Sequence, residues 1–408
     1  MADQDTKLPT WLRAEIFEDL LKQQVKGYTS TKALRASAGV PPGDNYATIM
    51  LRVELDVETE DKSNLIKAYM LKIPHQSERY REMMKKTNIF DIEQGMYTHV
   101  VPELEQLYKD VGLSVKFGAS TYEIPAGEDY VLLEDLRPKG FKNANRLDGL
   151  DTVHTKCVLR KLAQWHAAAA VRVDAKGPYE EKYRKGFFND DNREVLVDMN
   201  GNNMKSFLKH IKEYKGLESY VEDFQQISQK MVDVISKMSE PDPNEFNTLN
   251  HGDCWSNNIM FQYNESGDIQ ETYFVDLQIP KYGTVAQDLF YFLLTSTNLD
   301  IKLSKFEYFI QFYHAALIEH LKLLNYKRNL PTLKGIHQAL VKYGSWGFFS
   351  VVNIMGVVLL DPNENASFDS FFEEGEENSF KKSVFTNQRY RRHMEAIVPW
   401  LQNRGALE

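Results

Sequence analysis

One segment of the chain alternates strictly between apolar and polar side chains, and this alternation constrains the fold more than any other feature. Its apolar positions are Ile49, Leu51, Val53, Leu55 and Val57. A period of two points successive side chains to opposite faces, which predicts a half-buried β-strand. The polar residues 58–63 predict a turn, and residues 65–73 predict a returning strand that ends at Pro74. The first third of the chain is therefore expected to contain an antiparallel hairpin.

Helical periodicity dominates the rest of the chain. Before residue 134 we predict helices near 10–25 and 88–101, and strands near 115–123 and 129–134. Beyond it we predict helices over 150–171, 220–238, 286–296, 304–324, 334–342, 346–359 and 386–398, and short strands at 258–263 and 271–276. Strands that come first and helices that come later indicate an α+β fold with two lobes. We expect lobes over residues 1–134 and 135–408, joined near 134–138.

The composition excludes several functional classes. The formal net charge is −9, whereas nucleic-acid binding needs a basic footprint, so no nucleic-acid partner is expected. The longest apolar stretch, residues 346–360, is shorter than the ~18 residues of a spanning helix and contains polar side chains, so we expect a core helix and no membrane span. The two cysteines, Cys157 and Cys254, cannot form a disulfide framework, which favours a cytoplasmic location.

The most informative segment for function is the loop over residues 251–261. Asp253 and Asn258 lie five residues apart on a predicted loop that leads into a strand, and Asp276 follows the next apolar strand. Phosphoryl transfer from ATP needs a carboxylate that orients the attacking hydroxyl, and oxygen ligands that hold Mg²⁺ on the phosphates. A hairpin between the two strands would bring Asp276 alongside the loop. These three residues therefore form a candidate phosphotransfer site.

An ordinary polar turn would account for the tripeptide His251-Gly252-Asp253 by itself. The functional interpretation is favoured because an apolar strand that ends in a second acid follows at the right distance. Asn257 stands beside Asn258, and the five-residue spacing from Asp253 favours Asn258 as the ligand.

Further short motifs occur in a recognisable order. They are Asn45 to Ala47, Tyr69 to Pro74, Phe90 to Tyr97, Val101 to Leu104, Val131 to Leu136, Leu162 to Ala167, the loop at His251, Phe274 to Gln278, and Asp288-Leu289. In this order and spacing the chain resembles the ecdysteroid-kinase-like (CHK kinase-like) family of insects, within the choline kinase and aminoglycoside phosphotransferase superfamily. The resemblance covers about residues 40–300 and implies a bilobal, protein-kinase-like fold that uses ATP and Mg²⁺.

The resemblance also implies roles for residues of the first lobe. Lys72 would contact the α- and β-phosphates, and Glu93 would pair with it from the neighbouring helix. A surface lysine at a strand end is the alternative for Lys72, and Glu82 or Glu103 could take the place of Glu93. The backbone of residues 132–136 would be the hinge that meets adenine.

The remaining implied roles concern the hinge, the phosphates and the catalytic loop. Glu134 and Leu136 would belong to the adenine hinge, and Asn45 would approach the phosphates. In the second lobe Asp253 would be the base, with Asn258 and Asp276 as Mg²⁺ ligands. Asp288 would anchor the catalytic loop, whereas His251 and His166 are expected to be structural.

Three functions fit this reading. The first is a kinase that phosphorylates a hydroxyl of an ecdysteroid or related sterol, and the second is a kinase for choline, ethanolamine or a xenobiotic alcohol. The third is a pseudokinase that binds a ligand without catalysis, which the presence of Lys72, Asp253, Asn258 and Asp276 disfavours. A steroid needs a large apolar cavity, for which Trp346, Phe348, Phe349, Val352, Met355 and Val358 are candidates, although a plain hydrophobic core explains them equally well.

Overall fold

A computed structural model of the protein describes residues 8–40, 48–75, 87–362 and 380–407. Within these ranges the first part of the chain forms a five-stranded antiparallel sheet, and most of the remainder is helical. The predicted α+β, protein-kinase-like fold is confirmed. Asn45 and Glu82 lie outside the described residues. No helix of the described residues is both long and apolar enough to cross a membrane.

The sheet is built around the predicted hairpin. Its strands are β1 (Tyr28–Ala38), β2 (Thr48–Thr59), β3 (Asn64–Pro74), β4 (Thr121–Tyr122) and β5 (Val131–Glu134), in the spatial order β1-β2-β3-β5-β4. The alternation of β2 has its predicted effect, because Leu51, Val53, Leu55 and Val57 are buried while the side chains between them are half-exposed. β1 was missed because its side chains are mostly polar and only partly buried.

A short helix covers one face of the sheet and a segmented helix packs near its other face. The first, α1 (Glu18–Gln24), packs with the buried side chains of β2 and β3. The second begins as α2 (Ile89–Gly95), widens into a π-helical turn over Met96–Val100 and continues as α3 (Val101–Asp110). Ile89, Phe90, Val131 and Leu133 join a core that continues into the helical part of the protein. The position of a lobe boundary at residue 134 stays a prediction.

The helical part is organised around one long helix. The helices from residue 152 to 238 are α4 (Thr152–Lys176), α5 (Glu181–Arg184), α6 (Arg193–His210) and α7 (Val221–Met238). The side chain of Asp151 caps α4 by accepting hydrogen bonds from the backbone N–H groups of Val153 and His154. α6 was missed because its sequence contains Gly201 among asparagines, which favour turns over helices.

Three short pairings of strands carry the candidate site. β6 (Phe141–Lys142) pairs with β8 (Ile259–Tyr263), which pairs with β9 (Ile269–Phe274). β7 (Asn247–Asn250) pairs with β10 (Lys281–Thr284). β8 and β9 match the predicted strands, whereas β7 and β10 are too short and polar to show a period of two.

The last helices pack into one core. They are α8 (Ala286–Ser296), α9 (Leu299–Lys302), α10 (Phe306–Leu323), α11 (Leu333–Lys342), α12 (Gly344–Ser350), α13 (Gly356–Val358), α14 (Phe380–Thr386) and α15 (Gln388–Gln402). α15 continues through Pro399, where the sequence predicted an end. The apolar set from Trp346 to Val358 is buried, and all of it except Val358 belongs to the common core, which agrees with the interpretation of these residues as a plain hydrophobic core.

A buried lysine closes the end of α8. Lys302 is fully buried, and its Nζ donates to the backbone oxygen of Leu294, in the last turn of α8. An N–H donor at this position satisfies a carbonyl that the helix itself leaves open. Burial lowers the pKa of Lys302 to about 7. The folded protein therefore favours the neutral amine of Lys302 above neutral pH.

We expect Lys302 to make the free energy of unfolding rise with pH in the alkaline range. Its pKa is lower in the folded state, so between pH 7 and 10 the unfolded chain binds more protons and the free energy of unfolding rises with pH. Relative to Lys302→Met, the wild-type value should rise by up to about 1.4 kcal/mol per pH unit in this range. Urea denaturation at several pH values measures it, with the exposed Lys305→Met as control. Parallel pH curves for wild type and Lys302→Met would contradict the assignment.

Candidate active site

A glycine shapes the loop between β7 and β8. Gly252 has a φ of +85°, a conformation that side chains with a Cβ rarely adopt. A Cβ at this position would also lie 2.0 Å from the backbone oxygen of Ile279. The loop can therefore run directly beneath the segment that leads to β10 only because this residue is glycine.

Asp288 holds the start of the loop from below. The carboxylate of this fully buried residue accepts hydrogen bonds from the backbone N–H groups of His251 (2.7 Å) and Gly252 (3.0 Å). The Nε2 atom of His166 lies 3.1 Å from the same carboxylate, and its Nδ1 atom lies 2.6 Å from the hydroxyl of Tyr313. Burial alone would raise the pKa of Asp288, but these hydrogen bonds outweigh it and the pKa is lowered. The anchor is therefore an ionised carboxylate.

His251 braces the loop internally. Its ring is buried, its Nε2 lies 3.1 Å from the backbone oxygen of Val275, and its Nδ1 accepts the backbone N–H of Asp253 at 3.2 Å. Burial lowers the pKa of His251, which keeps the ring neutral. Both ring nitrogens are engaged within the fold.

Asp253 and Asn258 are in direct contact. The Asn258 amide nitrogen donates to the backbone oxygen and to Oδ2 of Asp253, each at 2.9 Å. The hydroxyl of Tyr291 donates to Oδ1 of Asp253 at 2.5 Å. Burial and the nearby Asp276 raise the pKa of Asp253. The backbone oxygen of the neighbouring Asn257 accepts a hydrogen bond from the side chain of Asn143.

Asp276 lies just beyond the end of β9. Its φ is +64°, an unusual value for a residue other than glycine, and it turns the chain away from the strand. The backbone N–H of the preceding Val275 donates to the backbone oxygen of Asn258 at 3.0 Å, which ties the two segments together. The hairpin of β8 and β9 therefore brings Asp276 alongside the loop, as predicted from the sequence.

Lys72 joins the sheet to both acids. From β3 its Nζ donates to Glu93 of α2 at 2.6 Å and to Asp276 at 2.7 Å. The side chains of Lys72 and Glu93 are each only 2% exposed. Burial alone would lower the pKa of Lys72, but the two carboxylates outweigh it and the pKa is raised. Lys72 therefore stays charged between them, and Glu103 instead pairs with Arg172 and Lys176 of α4.

The predicted hinge, residues 132–136, covers most of β5 and the two residues that follow it. The backbone N–H of Glu134 donates to Ser120, and its side chain pairs with Lys139. The backbone oxygen of the buried Leu136 accepts hydrogen bonds from the backbone N–H groups of Lys139 and Phe141.

The comparison with protein families now has a geometric context. The chain matches the Ecdysteroid kinase-like family over residues 42–326. The chain belongs to this family. It therefore falls among small-molecule phosphotransferases of the kinase-like type. No curated protein matched the chain.

Several residues of this family member complete the site although sequence reasoning gave them no role. Gln278 places its Oε1 3.3 Å from Lys72 Nζ. Arg52 of β2 binds the buried Asp135 at 2.7 Å and so ties the segment after β5 to the sheet. The motifs around Gln278 and Asp135 were visible in the sequence, but their partners lie far away along the chain. Only the tertiary fold brings them together.

The short helix α5 of the helical part contacts α2, which carries Glu93. The hydroxyl of Tyr183 lies against Gly95, where a Cβ would approach it to 2.0 Å. Lys182 forms an ion pair with Asp91 at 2.8 Å. Both contacts join α5 to the helix that carries Glu93. They favour the position of α2 in which Glu93 reaches Lys72.

We expect Gly252→Ala to destabilise the protein more than a matched control. Alanine in the left-handed region costs roughly 1–2 kcal/mol, and here the contact with Ile279 adds to that cost. Gly267→Ala is the control, because its φ of +86° is nearly the same while nothing lies within 4 Å of its Cβ position. Urea denaturation of both variants measures the difference. Equal losses would show that Gly252 is required for its backbone conformation alone.

Proposed function

We propose that the protein is an ATP- and Mg²⁺-dependent kinase that transfers the γ-phosphate of ATP to a hydroxyl of a small molecule. The observation that carries the proposal is the convergence of a buried lysine–glutamate pair with three polar residues. Lys72 and Glu93 come from the sheet and α2, and Asp253, Asn258 and Asp276 come from segments around β8 and β9. Phosphoryl transfer needs a charged phosphate contact, metal ligands and a carboxylate for the attacking hydroxyl.

The nucleotide would lie between the sheet and the catalytic loop. In this proposal residues 1–134 form the nucleotide-binding lobe and residues 135–408 carry the catalytic loop. Lys72 binds the α- and β-phosphates and Glu93 holds its ammonium in place. The backbone near Glu134 and Leu136 meets adenine, and Asn45 approaches the phosphates. The reaction takes place in the cytoplasm.

The donor atoms at the metal position fit Mg²⁺. The Asn258 amide nitrogen is occupied by Asp253, so its side-chain oxygen is the atom left for a metal. The carboxylate of Asp276 is 24% exposed and can supply a second oxygen. Mg²⁺ prefers few protein oxygens, because it keeps waters and phosphate oxygens as its other ligands. When bound there it would neutralise charge on the phosphates.

Asp253 is the residue that would receive the substrate proton. Its carboxylate is held by Tyr291 and Asn258, so its orientation is set before a substrate arrives. The acceptor hydroxyl loses its proton to Asp253 as its oxygen forms a bond to the γ-phosphorus. The bond between that phosphorus and the bridging oxygen breaks, and ADP leaves with the electron pair.

The substrate we propose is an ecdysteroid or a related sterol alcohol. The family to which the chain belongs supports this class. The apolar residues from Trp346 to Val358 do not support it, because they pack in the core. Choline, ethanolamine and xenobiotic alcohols are therefore the comparison compounds in the first assay.

Asp253→Asn should abolish phosphoryl transfer without loss of folding. The amide has nearly the same shape, but it cannot accept the hydroxyl proton, and removal of a general base typically costs 10²–10⁴-fold in rate. The measurement is ADP release with Mg²⁺ and a panel of ecdysteroids, sterol alcohols, choline, ethanolamine and aminoglycosides. Asp268→Asn, in the exposed turn between β8 and β9, is the control. Wild-type turnover by Asp253→Asn would refute the assigned base.

Asp276→Asn should weaken the affinity of the site for Mg²⁺. An amide oxygen is a poorer ligand for a hard cation than a carboxylate, so a higher Mg²⁺ concentration should be needed for half-maximal ADP release. Titration of Mg²⁺ at fixed ATP measures this shift, and the same Asp268→Asn variant serves as control. A Mg²⁺ curve that coincides with wild type would exclude Asp276 as a ligand.

A further inference from the structure

Three residues of α8 contact the catalytic loop. Asp288 and Tyr291 are three residues apart and lie on the same side of the helix, and Ser296 is its last residue. Asp288 binds the backbone at the start of the loop, and Tyr291 binds the side chain of Asp253. The backbone N–H of Ser256 donates to the hydroxyl of Ser296 at 3.0 Å. A single rigid element therefore sets the loop at three points.

Tyr291 differs from the other two contacts because it touches the side chain that acts on the substrate. Its ring is buried, only 3% exposed, in a helix whose residues are all buried. Burial and the adjacent Asp253 raise its pKa well above the ordinary value, so the hydroxyl keeps its proton. Because it keeps its proton, the Tyr291 hydroxyl donates its hydrogen bond throughout the physiological pH range. It stabilises one orientation of the carboxylate that receives its hydrogen bond.

The two oxygens of Asp253 have separate partners. Oδ1 accepts from Tyr291, while Oδ2 accepts from Asn258. Asn258 also belongs to the proposed metal site, so it would both hold Asp253 and bind Mg²⁺. Tyr291 contacts no proposed metal ligand through its hydroxyl among the described residues, and its bond acts on Asp253 alone. Hydrogen bonds at both oxygens fix the rotation of the carboxylate plane, and each oxygen retains a lone pair for an incoming hydroxyl.

We propose that Tyr291 is a positioning residue for phosphoryl transfer, because its hydroxyl holds the Asp253 carboxylate in the orientation that meets the acceptor hydroxyl. This inference rests on the proposed function, in which Asp253 receives the substrate proton. A charge-assisted hydrogen bond supplies enough free energy to hold one rotamer against others. A catalytic group that is misplaced by about 1 Å can lose on the order of 100-fold in rate.

The test compares Tyr291→Phe with Tyr214→Phe. Each variant removes one buried hydroxyl and its hydrogen bond, since Tyr214 is fully buried and donates to the backbone oxygen of Phe385 at 2.5 Å. Tyr214 lies in the core away from the catalytic loop. Tyr291→Phe should lower kcat about 10- to 100-fold while KM for ATP stays within about twofold of wild type. Tyr214→Phe should leave both constants unchanged, and the two unfolding midpoints should shift by similar amounts.

The outcomes that contradict the role of Tyr291 differ from the outcome that contradicts the proposed function. An active wild type with equal kcat in both variants would overturn the role of Tyr291, and so would a rise in KM for ATP without a fall in kcat. An inactive wild type with every acceptor would refute the proposed function instead. In that case crystal structures of wild type and Tyr291→Phe still test the positioning. A rotated Asp253 carboxylate in the variant supports it, and an unchanged carboxylate overturns it.

Discussion

The buried cluster of Lys72, Glu93 and Asp276 is the interaction on which the site depends. Three charges lie together where the first two side chains are almost completely removed from water. Burial of an ion is costly, and only excellent geometry with opposite charges offsets the cost. The three groups come from β3, α2 and the segment after β9, so the cluster forms only when these elements meet. It therefore links the sheet to the hairpin of β8 and β9.

The other half of the site depends on α8 rather than on the sheet. The loop between β7 and β8 has little regular structure of its own, but Asp288, Tyr291 and Ser296 hold it against a helix that is buried along its whole length. Lys302 in turn closes the last turn of this helix. A loop on a rigid support combines access for ligands with a fixed geometry. The support from α8 explains how candidate residues on a loop can have fixed positions.

Local sequence patterns predicted the parts of the fold that have a strong period. The alternation of β2 and the bounds of α8 were correct, because burial of one face or of a whole helix leaves a clear pattern. β1 and α6 were missed because their polar side chains carry no such pattern. The spacing of Asp253, Asn258 and Asp276 was visible along the chain. The contact of Tyr291 with Asp253 was not, because it depends on how α8 packs beneath the loop.

The most direct test of the account is calorimetric titration of ATP into wild type and into Lys72→Met, each with and without Mg²⁺. The proposal requires the Lys72 ammonium for the phosphates and the oxygens of Asn258 and Asp276 for the metal. We predict that wild type binds ATP more tightly with Mg²⁺, and that Lys72→Met weakens this binding at least about tenfold, the loss expected for about 1.4 kcal/mol. Equal affinities of the two proteins, or no binding of ATP by wild type, would contradict the account.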